Sequence, residues 1–198
     1  VKISKLFRIK IIHISTDYVF DGLAVEEIKE DHEPNPLGVY GKTKLEGENI
    51  ILNSKSESII VRTSWLYSPY GKNFFKTILN LSKSNKNISV IDDQWGKPTF
   101  GLDLANSIIK LINSSKSFDN KIYHYSNKGV TTWHCFAKEI LKLINSKSIL
   151  TPIKSIDYSS KAIRPKNVAL NTDLIETTLN FKIPYWKDSL KKCLKIVE

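Results

Sequence analysis

The chain has 198 residues and a formal net charge of +10, with 41% hydrophobic and 25% charged residues. These values are typical of a folded globular protein, and no apolar run approaches the roughly 18 residues that span a membrane, so disorder and membrane insertion are disfavoured. The lysines are spread along the whole chain without interleaved aromatic residues, which disfavours nucleic acid as a partner.

The first predicted elements form a β-α-β unit. Residues 3–7 look like the last turns of a helix, and residues 10–15, KIIHIS, form the β-branched apolar run of a buried strand in a parallel sheet. Residues 16–37 are polar and contain Asp-Gly and two prolines, which predicts a long loop. A helical pattern over 39–53 and a second buried strand over 58–62 follow. We expect the two strands to be parallel and joined by a right-handed connection.

The rest of the chain continues the alternation of helices and strands. In chain order we predict a helix over 74–81, a strand over 88–91, a helix over 101–112, a strand over 121–126, a helix through Phe136, Ile140 and Leu143 that Thr131 or Thr132 caps, and an amphipathic helix over 188–196 that Asp188 caps. Such alternation favours an α/β fold.

The segment YGKTK carries the sharpest chemical pattern. Tyr40 and Lys44 are four residues apart at the start of the predicted helix, so they share one helix face. A nearby ammonium group stabilises a phenolate, which would let Tyr40 exchange a proton with a carbonyl or an alcohol. The spacing alone arises often by chance, but Thr16 ends the preceding strand, where doubly wound sheets bind their ligands. A hydroxyl, a phenol and an ammonium group there predict a site for carbonyl reduction.

Three segments resemble a known family: HISTDYVFDG, EPNPLGVYGKTKLEGE and VRTSWLYSPYGKNF. They are similar to extended short-chain dehydrogenases/reductases, and among these most of all to the dTDP-4-dehydrorhamnose reductase family. The stretches DDQWGKPTFGLDLA, IYHYSNKGVTTWHCFA and AIRPKNVALNT agree in order and spacing, so the resemblance runs from about Ile11 to the end of the chain.

The resemblance implies a fold and an activity. The fold would be an incomplete Rossmann-like doubly wound parallel sheet with a small C-terminal α/β substrate-binding lobe. Residues 1–66 would hold the catalytic half of the sheet, and residues 67–198 mainly the lobe, with elements that return to the sheet. The reaction would be the reduction of dTDP-4-dehydro-6-deoxy-L-mannose to dTDP-L-rhamnose by NADH or NADPH, in cytoplasmic nucleotide-sugar biosynthesis for cell-surface polysaccharides. The partner would be an anionic nucleotide sugar, and a homodimer is left open.

The resemblance also implies roles for individual residues. Tyr40 would donate the proton to the 4-keto oxygen, Lys44 would tune Tyr40 and hold the nicotinamide ribose, and Thr16 would orient the carbonyl. Arg62, Thr63 and Ser64 would lie beside the nicotinamide, together with Tyr40 and Lys44. The substrate contacts would be Thr16, Asp17, Trp65, Asn73, Gln94, Pro98, Thr99 and Arg164, the last of these suited to a diphosphate. For the residues outside the Thr-Tyr-Lys set, turn or loop structure is the alternative explanation.

The chain departs from the family pattern in two places. The family binds NAD(P) through a glycine-rich turn after its first strand, and none of the eight glycines here forms such a turn. Val168 stands where the family usually has a serine. We therefore expect a fragment whose cofactor-binding front end is missing and which binds NAD(P) poorly by itself. The alternatives are an epimerase or dehydratase on the same scaffold, or a regulatory subunit without catalytic activity.

The cysteine and histidine residues predict no metal site. Two cysteines without a CxxC pair disfavour a disulfide framework or structural zinc, and they favour a reducing compartment. Cys135 is expected to pack in a core, and His13 to be a core residue with its hydrogen bonds satisfied. His124 and His134 lie ten residues apart with no carboxylate cluster near them in the sequence, so metal binding is not expected.

Overall fold

The computed structural model describes residues 1–84, 86–114, 118–158 and 163–197 and shows a mixed α/β fold with parallel sheets, as predicted. The strands are β1 (Ile11–Thr16), β2 (Ser58–Thr63), β3 (Leu66–Tyr67), β4 (Asn87–Ile91), β5 (Trp95–Gly96), β6 (Thr99–Phe100), β7 (Lys121–Tyr125), β8 (Thr131–Thr132) and β9 (Ile149–Ile153). The helices are α1 (Lys2–Phe7), α2 (Val39–Asn53), α3 (Phe74–Ser84), α4 (Gly101–Asn113), α5 (Trp133–Leu143), α6 (Asp173–Leu179) and α7 (Trp186–Val197).

The first of two regions of the fold is a three-stranded parallel sheet with the order β1-β2-β7. β2 is buried along its whole length because it has a strand on either side, and its β-branched residues suit that environment. The predicted β-α-β unit is confirmed in its elements and in the parallel pairing of β1 with β2. The register aligns Thr16 with Thr63 and Thr63 with Tyr125, so the three strands end together at one edge of the sheet.

β1 is an edge strand of this sheet among the described strands. β1 pairs only with β2 among the described strands, and its first four residues are only partly buried. Ile3, Leu6 and Phe7 on α1, the helix that precedes β1 in the chain, are also exposed. An edge of this kind can accept a further strand.

A second region is built around aromatic side chains. β4 pairs in parallel with β9, α5 packs against this pair, and α3 and α7 pack against α5. Its core includes Tyr67, Phe75, Phe136 and Trp186 together with aliphatic residues of the same elements. We call this region the aromatic lobe. The remaining strands form the short pairs β3-β6 and β5-β8. Along the chain, each of these short strands lies between a segment of the three-stranded sheet and a segment of the aromatic lobe.

Several local predictions need correction. α7 begins at Trp186, so Asp188 lies within its first turn and is not the cap. Cys135 is exposed, because it lies on the outer face of α5 and not in the core. His13 is only half-buried, and its Nε2 atom is buried without a hydrogen-bond partner among the residues that the structure describes, so it is not a satisfied core residue. Thr132 does cap α5, since its hydroxyl accepts a hydrogen bond from the Cys135 backbone N–H. No helix in the described residues is long and apolar enough to cross a membrane.

Candidate active site

Thr16 is fixed at the carboxyl end of β1. Its hydroxyl accepts a hydrogen bond from the Tyr18 backbone N–H at 3.2 Å and donates one to a carboxyl oxygen of Asp17 at 3.1 Å. These bonds begin the 3₁₀ turn over 17–19, which directs the chain away from the sheet. The hydroxyl therefore has a set position at the edge where parallel sheets bind ligands.

Tyr40 lies in the first turn of α2, next to that strand end. Its side chain is 57% exposed, and its ring meets the ring of Tyr18 edge-on at a centroid distance of 5.6 Å. Gly41 makes this approach possible, because a Cβ atom there would collide with the carbonyl oxygen of Tyr18. The phenol is thus held against the turn that follows Thr16 while its hydroxyl remains open to solvent and ligands.

Lys44 lies one helical turn after Tyr40. Its ammonium group donates a hydrogen bond to the backbone carbonyl oxygen of Ile14 at 2.5 Å. Ile14 is two residues before Thr16 on β1, so this bond fixes the ammonium group over the end of the strand. The structure therefore brings Thr16, Tyr40 and Lys44 to one place, with Tyr18 between the threonine and the tyrosine.

Asp17 lies beneath Thr16 and not on the open side of the site. Its side chain is only 2% exposed, and one of its carboxyl oxygens is buried without a partner among the described residues. Burial raises the pKa of Asp17 to about 7, although the hydrogen bond from Thr16 opposes that shift. A carboxyl group enclosed in this way can act on the Thr16 hydroxyl, but it has no direct path to a sugar.

The side chains at the end of β2 are largely engaged inside the protein. The Arg62 guanidinium is 2% exposed and binds the Glu48 carboxylate of α2 at 2.7–3.1 Å. Ser64 donates a hydrogen bond to the backbone carbonyl of Lys97, and Thr63 is within 3.4 Å of the Thr99 hydroxyl. Any contact between Arg62 and a cofactor would therefore have to come from its backbone.

Trp65 connects the end of β2 with the aromatic lobe. Its ring stacks on Trp133 of α5 at a centroid distance of 3.6 Å and an interplanar angle of 11°. Its φ angle of 45° lies in the left-handed region, which is uncommon for a bulky residue. A Cβ atom at Gly96 would come within 2.6 Å of the Trp65 ring, so this glycine leaves space for the stack.

A cleft of about 380 Å³ opens beside Trp133 in the aromatic lobe. Its wall includes the ring of Phe74, the apolar end of β4, Tyr158 and the guanidinium-bearing Arg164. Arg164 also acts on the site at β1: burial raises the pKa of Tyr18, and the positive charge of Arg164 opposes this rise. The arginine therefore lines the cleft and is also close enough to Tyr18 to act on its phenol.

The remaining predicted contacts have structural partners. Asn73 immediately precedes α3, and its amide nitrogen donates to the carbonyls of Ser68 and Tyr70. Three further residues are buried between the sheet and the lobe, namely Gln94, Pro98 and Thr99. The Gln94 amide donates to the Ser155 hydroxyl at 3.1 Å. The structure does not show these four side chains in contact with Tyr40, and their role as substrate contacts remains a prediction.

Two residues of the site were missed by the sequence reasoning. Tyr18 forms the contact between Thr16 and Tyr40, and its place within STDYVFDG was an available signal. Glu48 neutralises Arg62, and its spacing of four residues from Lys44 places it on the same face of α2. Only the long-range pairing with Arg62 could not be read from that spacing.

Comparisons with known proteins agree on one family. The family model described as the RmlD substrate binding domain matches residues 2–198. The dTDP-4-dehydrorhamnose reductase of Sinorhizobium fredii is 35% identical over 93% of this chain. The chain spans 65% of the length of that relative.

Two solved structures of this type superimpose closely on the chain. A dTDP-4-dehydrorhamnose reductase from Clostridium acetobutylicum gives a TM-score of 0.93 at 39% identity, over 98% of this chain and 68% of its own. The one from Bacillus anthracis, solved in complex with NADP, gives 0.92 at 38% identity with the same coverage of the two chains. The likeness therefore extends over almost the whole of the chain.

Proposed function

Since the chain belongs to the RmlD substrate binding domain family, we propose that it provides the substrate-binding and proton-donating part of a dTDP-4-dehydrorhamnose reductase. The reaction would reduce the 4-keto group of dTDP-4-dehydro-6-deoxy-L-mannose to the alcohol of dTDP-L-rhamnose. The observation that carries the proposal is the meeting of Thr16, Tyr40 and Lys44 at the carboxyl end of β1. The same activity is named for the Sinorhizobium fredii relative.

In this proposal Tyr40 is the proton donor. Its phenol is the exposed member of the group and can reach a carbonyl oxygen placed over the end of β1. The neighbouring ammonium group of Lys44 stabilises the phenolate that remains after the proton has moved to the substrate. The Thr16 hydroxyl orients the carbonyl, and it can donate a hydrogen bond to the substrate when Asp17 is protonated and donates to Thr16 in turn.

The same residues fit the reactive end of a nicotinamide cofactor, NADH or NADPH. When bound, the cofactor supplies the hydride that adds to the 4-keto carbon. Lys44 would hold its ribose, and the backbone at the end of β2 would lie beside the ring. The sequence has no glycine-rich turn for the diphosphate. The free edge of β1 and the apolar surface of α1 support a position beside them for the dinucleotide-binding strands that complete the family's sheet.

The cleft in the aromatic lobe is the proposed site of the nucleotide. Phe74 and Trp133 supply apolar and aromatic surface for a base, and the Arg164 guanidinium can bind the diphosphate through two parallel hydrogen bonds. Arg164 lines the cleft, and its positive charge also acts on Tyr18. This arrangement would direct the sugar from the lobe toward Tyr40.

We propose that the catalytic groups lie in residues 1–66 and that most of the substrate contacts lie in residues 67–198. This proposal is supported by the position of Thr16, Tyr40 and Lys44 on β1 and α2, and by the cleft in the aromatic lobe. β7 and α4 belong to the second part of the chain, yet they pack in the core of the three-stranded sheet.

Both cysteines are free thiols, which supports a reducing cytoplasm.

The test is kinetic and uses matched pairs of variants. The protein would be assayed after fusion to the part of the Bacillus anthracis reductase, solved with NADP, that this chain does not cover. NADPH oxidation with the 4-keto nucleotide sugar should fall about 10²–10⁴-fold in Tyr40→Phe, because general acid catalysis is lost. The exposed Tyr70→Phe is the control and should keep the wild-type rate. Equal rates in Tyr40→Phe and Tyr70→Phe would reject the proton-donor role.

A further inference from the structure

A cluster of metal-binding side chains lies outside the proposed active site, at the junction of β4 and α5. Asp92 follows β4, and His134 and Cys135 are the second and third residues of α5. A carboxylate oxygen, a ring nitrogen and the thiol sulfur of these residues all lie within 4.8 Å of one another. The distance from Asp92 Oδ1 to His134 Nδ1 is 3.8 Å, too long for a hydrogen bond but close to the separation of two ligands around one ion.

Hydrogen bonds of Thr132 help to hold the cluster in place before an ion binds. Its hydroxyl accepts the hydrogen bond from the Cys135 backbone N–H and donates one to the Asp92 carboxylate. The Asp92 backbone N–H is bound in turn to the carbonyl of Ile153 on β9. These bonds fix the carboxylate beside the start of the helix before any ion arrives, which lowers the entropic cost of binding.

The chemistry of the three donors selects a particular class of ion. Thiolate and imidazole ligands suit zinc and similar borderline-soft ions, whereas magnesium and calcium prefer sites made of oxygen atoms. An oxygen and a nitrogen ligand around a tetrahedral zinc ion lie roughly 3.3–3.5 Å apart, so the Asp92–His134 separation of 3.8 Å has to shorten by a few tenths of an ångström when the ion binds. Rotation of the exposed Cys135 side chain can bring its sulfur toward the same ion.

Charge and hydrogen bonding also favour an ion here. A thiolate and a carboxylate together balance a divalent cation, and the N-terminus of the eleven-residue helix α5 stabilises both anions. The Nε2 atom of His134 is buried with no hydrogen-bond partner within the described part of the chain. The nitrogen that lies near Asp92 is the other one, Nδ1, so Nδ1 is the atom that would bind an ion shared with that carboxylate.

We propose that Asp92, His134 and Cys135 bind one zinc-like divalent ion through three protein ligands, with water as the fourth. The ion joins the end of β4 to the first turn of α5. That turn begins with Trp133, which stacks on Trp65 and lines the cleft. Bound zinc therefore stabilises the wall of the cleft. The site stands independently of the proposed reductase activity.

Cobalt is the probe for this site, because Co²⁺ adopts zinc geometry and absorbs visible light. Titration of the reduced, tag-free chain with CoCl₂ should give tetrahedral d–d bands and a thiolate-to-cobalt band that saturate at one equivalent. One equivalent of ZnCl₂ should remove these bands, and a hundredfold excess of MgCl₂ should leave them. Zinc should also raise the Tm in proportion to the logarithm of its concentration.

Matched variants assign the ligands. Cys135→Ser should remove the thiolate band and weaken cobalt binding at least tenfold, and His134→Gln should weaken it to a similar extent. Cys193→Ala, which removes the buried thiol of α7, and His32→Gln, which changes an exposed imidazole, should bind cobalt like the wild type. Since Cys135 is exposed, its substitution should leave the far-UV circular dichroism unchanged. No thiolate band in the wild-type protein, or the same band in Cys135→Ser, would overturn the proposal.

Discussion

The three-stranded sheet and the aromatic lobe are stabilised in different ways. The sheet region encloses the Arg62–Glu48 ion pair, the buried Asp17 carboxyl and the buried His124 imidazole. The lobe encloses rings and aliphatic side chains, with Phe136 fully buried at its centre. The two regions therefore differ in the side chains they bury: the region with the proposed catalytic groups buries charged and acidic or basic side chains, and the region with the cleft buries mainly rings and aliphatic groups.

The aromatic lobe should show the largest loss of stability on truncation. Phe136→Ala removes a fully buried ring that contacts Phe74, Tyr67 and Trp186. The free energy of unfolding should fall by about 3–5 kcal/mol, with little dependence on pH, because the loss is one of packing. Urea unfolding at pH 5 and pH 8 measures this, with the exposed Ile156→Ala as the control. A loss that differs strongly between the two pH values would break the contrast between the regions.

The sheet region should respond to pH through Asp17. Burial raises its pKa to about 7 in the folded state, against about 4 in an unfolded chain. The stability that arises from this pKa difference is therefore fully present below about pH 4 and is lost as the pH rises to about 7. The total loss of free energy of unfolding is at most about 4 kcal/mol. Asp17→Asn should remove this loss, so the variant should gain stability over the wild type between pH 4 and pH 8.

The comparison of Asp17→Asn with the wild type cancels the opposing effects of Glu30 and His124. Burial raises the pKa of Glu30 and lowers that of His124 to about 3, and both groups are present in the two proteins. The control is Asp21→Asn, because hydrogen bonds lower the pKa of the exposed Asp21 carboxyl. It should keep the wild-type decline between pH 4 and pH 7. A parallel pH profile for Asp17→Asn and the wild type would contradict the account of Asp17.

The smallest of the three losses of stability is expected for the ion pair between Glu48 of α2 and Arg62 of β2. Glu48→Gln leaves the buried Arg62 guanidinium without its countercharge, which should cost about 3 kcal/mol. Glu57→Gln removes the partner of the exposed Lys10 and should cost less than about 1 kcal/mol. Urea unfolding of the two variants measures the difference. Equal, small losses would show that the sheet region does not depend on its buried charges.

Much of the sheet region could be predicted because its signals are local. The helix over 39–53 has the same bounds in the structure, and β1 and β2 lie within a residue of the predicted strands. The prediction of a Thr16, Tyr40 and Lys44 set rests on spacing within one helix and on its position after one strand, and its catalytic role stays a prediction. Here local sequence and tertiary structure favour the same conformation.

The remaining features depend on contacts between distant residues. β9 was not predicted, because it is largely exposed and contains Pro152, which is unusual within a strand. The seven-residue helix α6 is too short to show a clear helical period. The ion pair of Arg62 with Glu48 was not predicted, because the two residues are 14 positions apart and no local pattern pairs them. Asp92 is more than forty residues before His134 and Cys135, so no motif spacing could reveal that cluster.

Transfer of deuterium tests the proposed reaction most directly. The protein, joined to a dinucleotide-binding segment, would be given the 4-keto nucleotide sugar and NADPH with deuterium at the transferable C4 position. The account predicts a product with deuterium on carbon 4 of the sugar, detected by NMR, and almost none with Tyr40→Phe. Deuterium that stays on the nicotinamide with the wild-type protein, or the same labelled product from Tyr40→Phe, would contradict it.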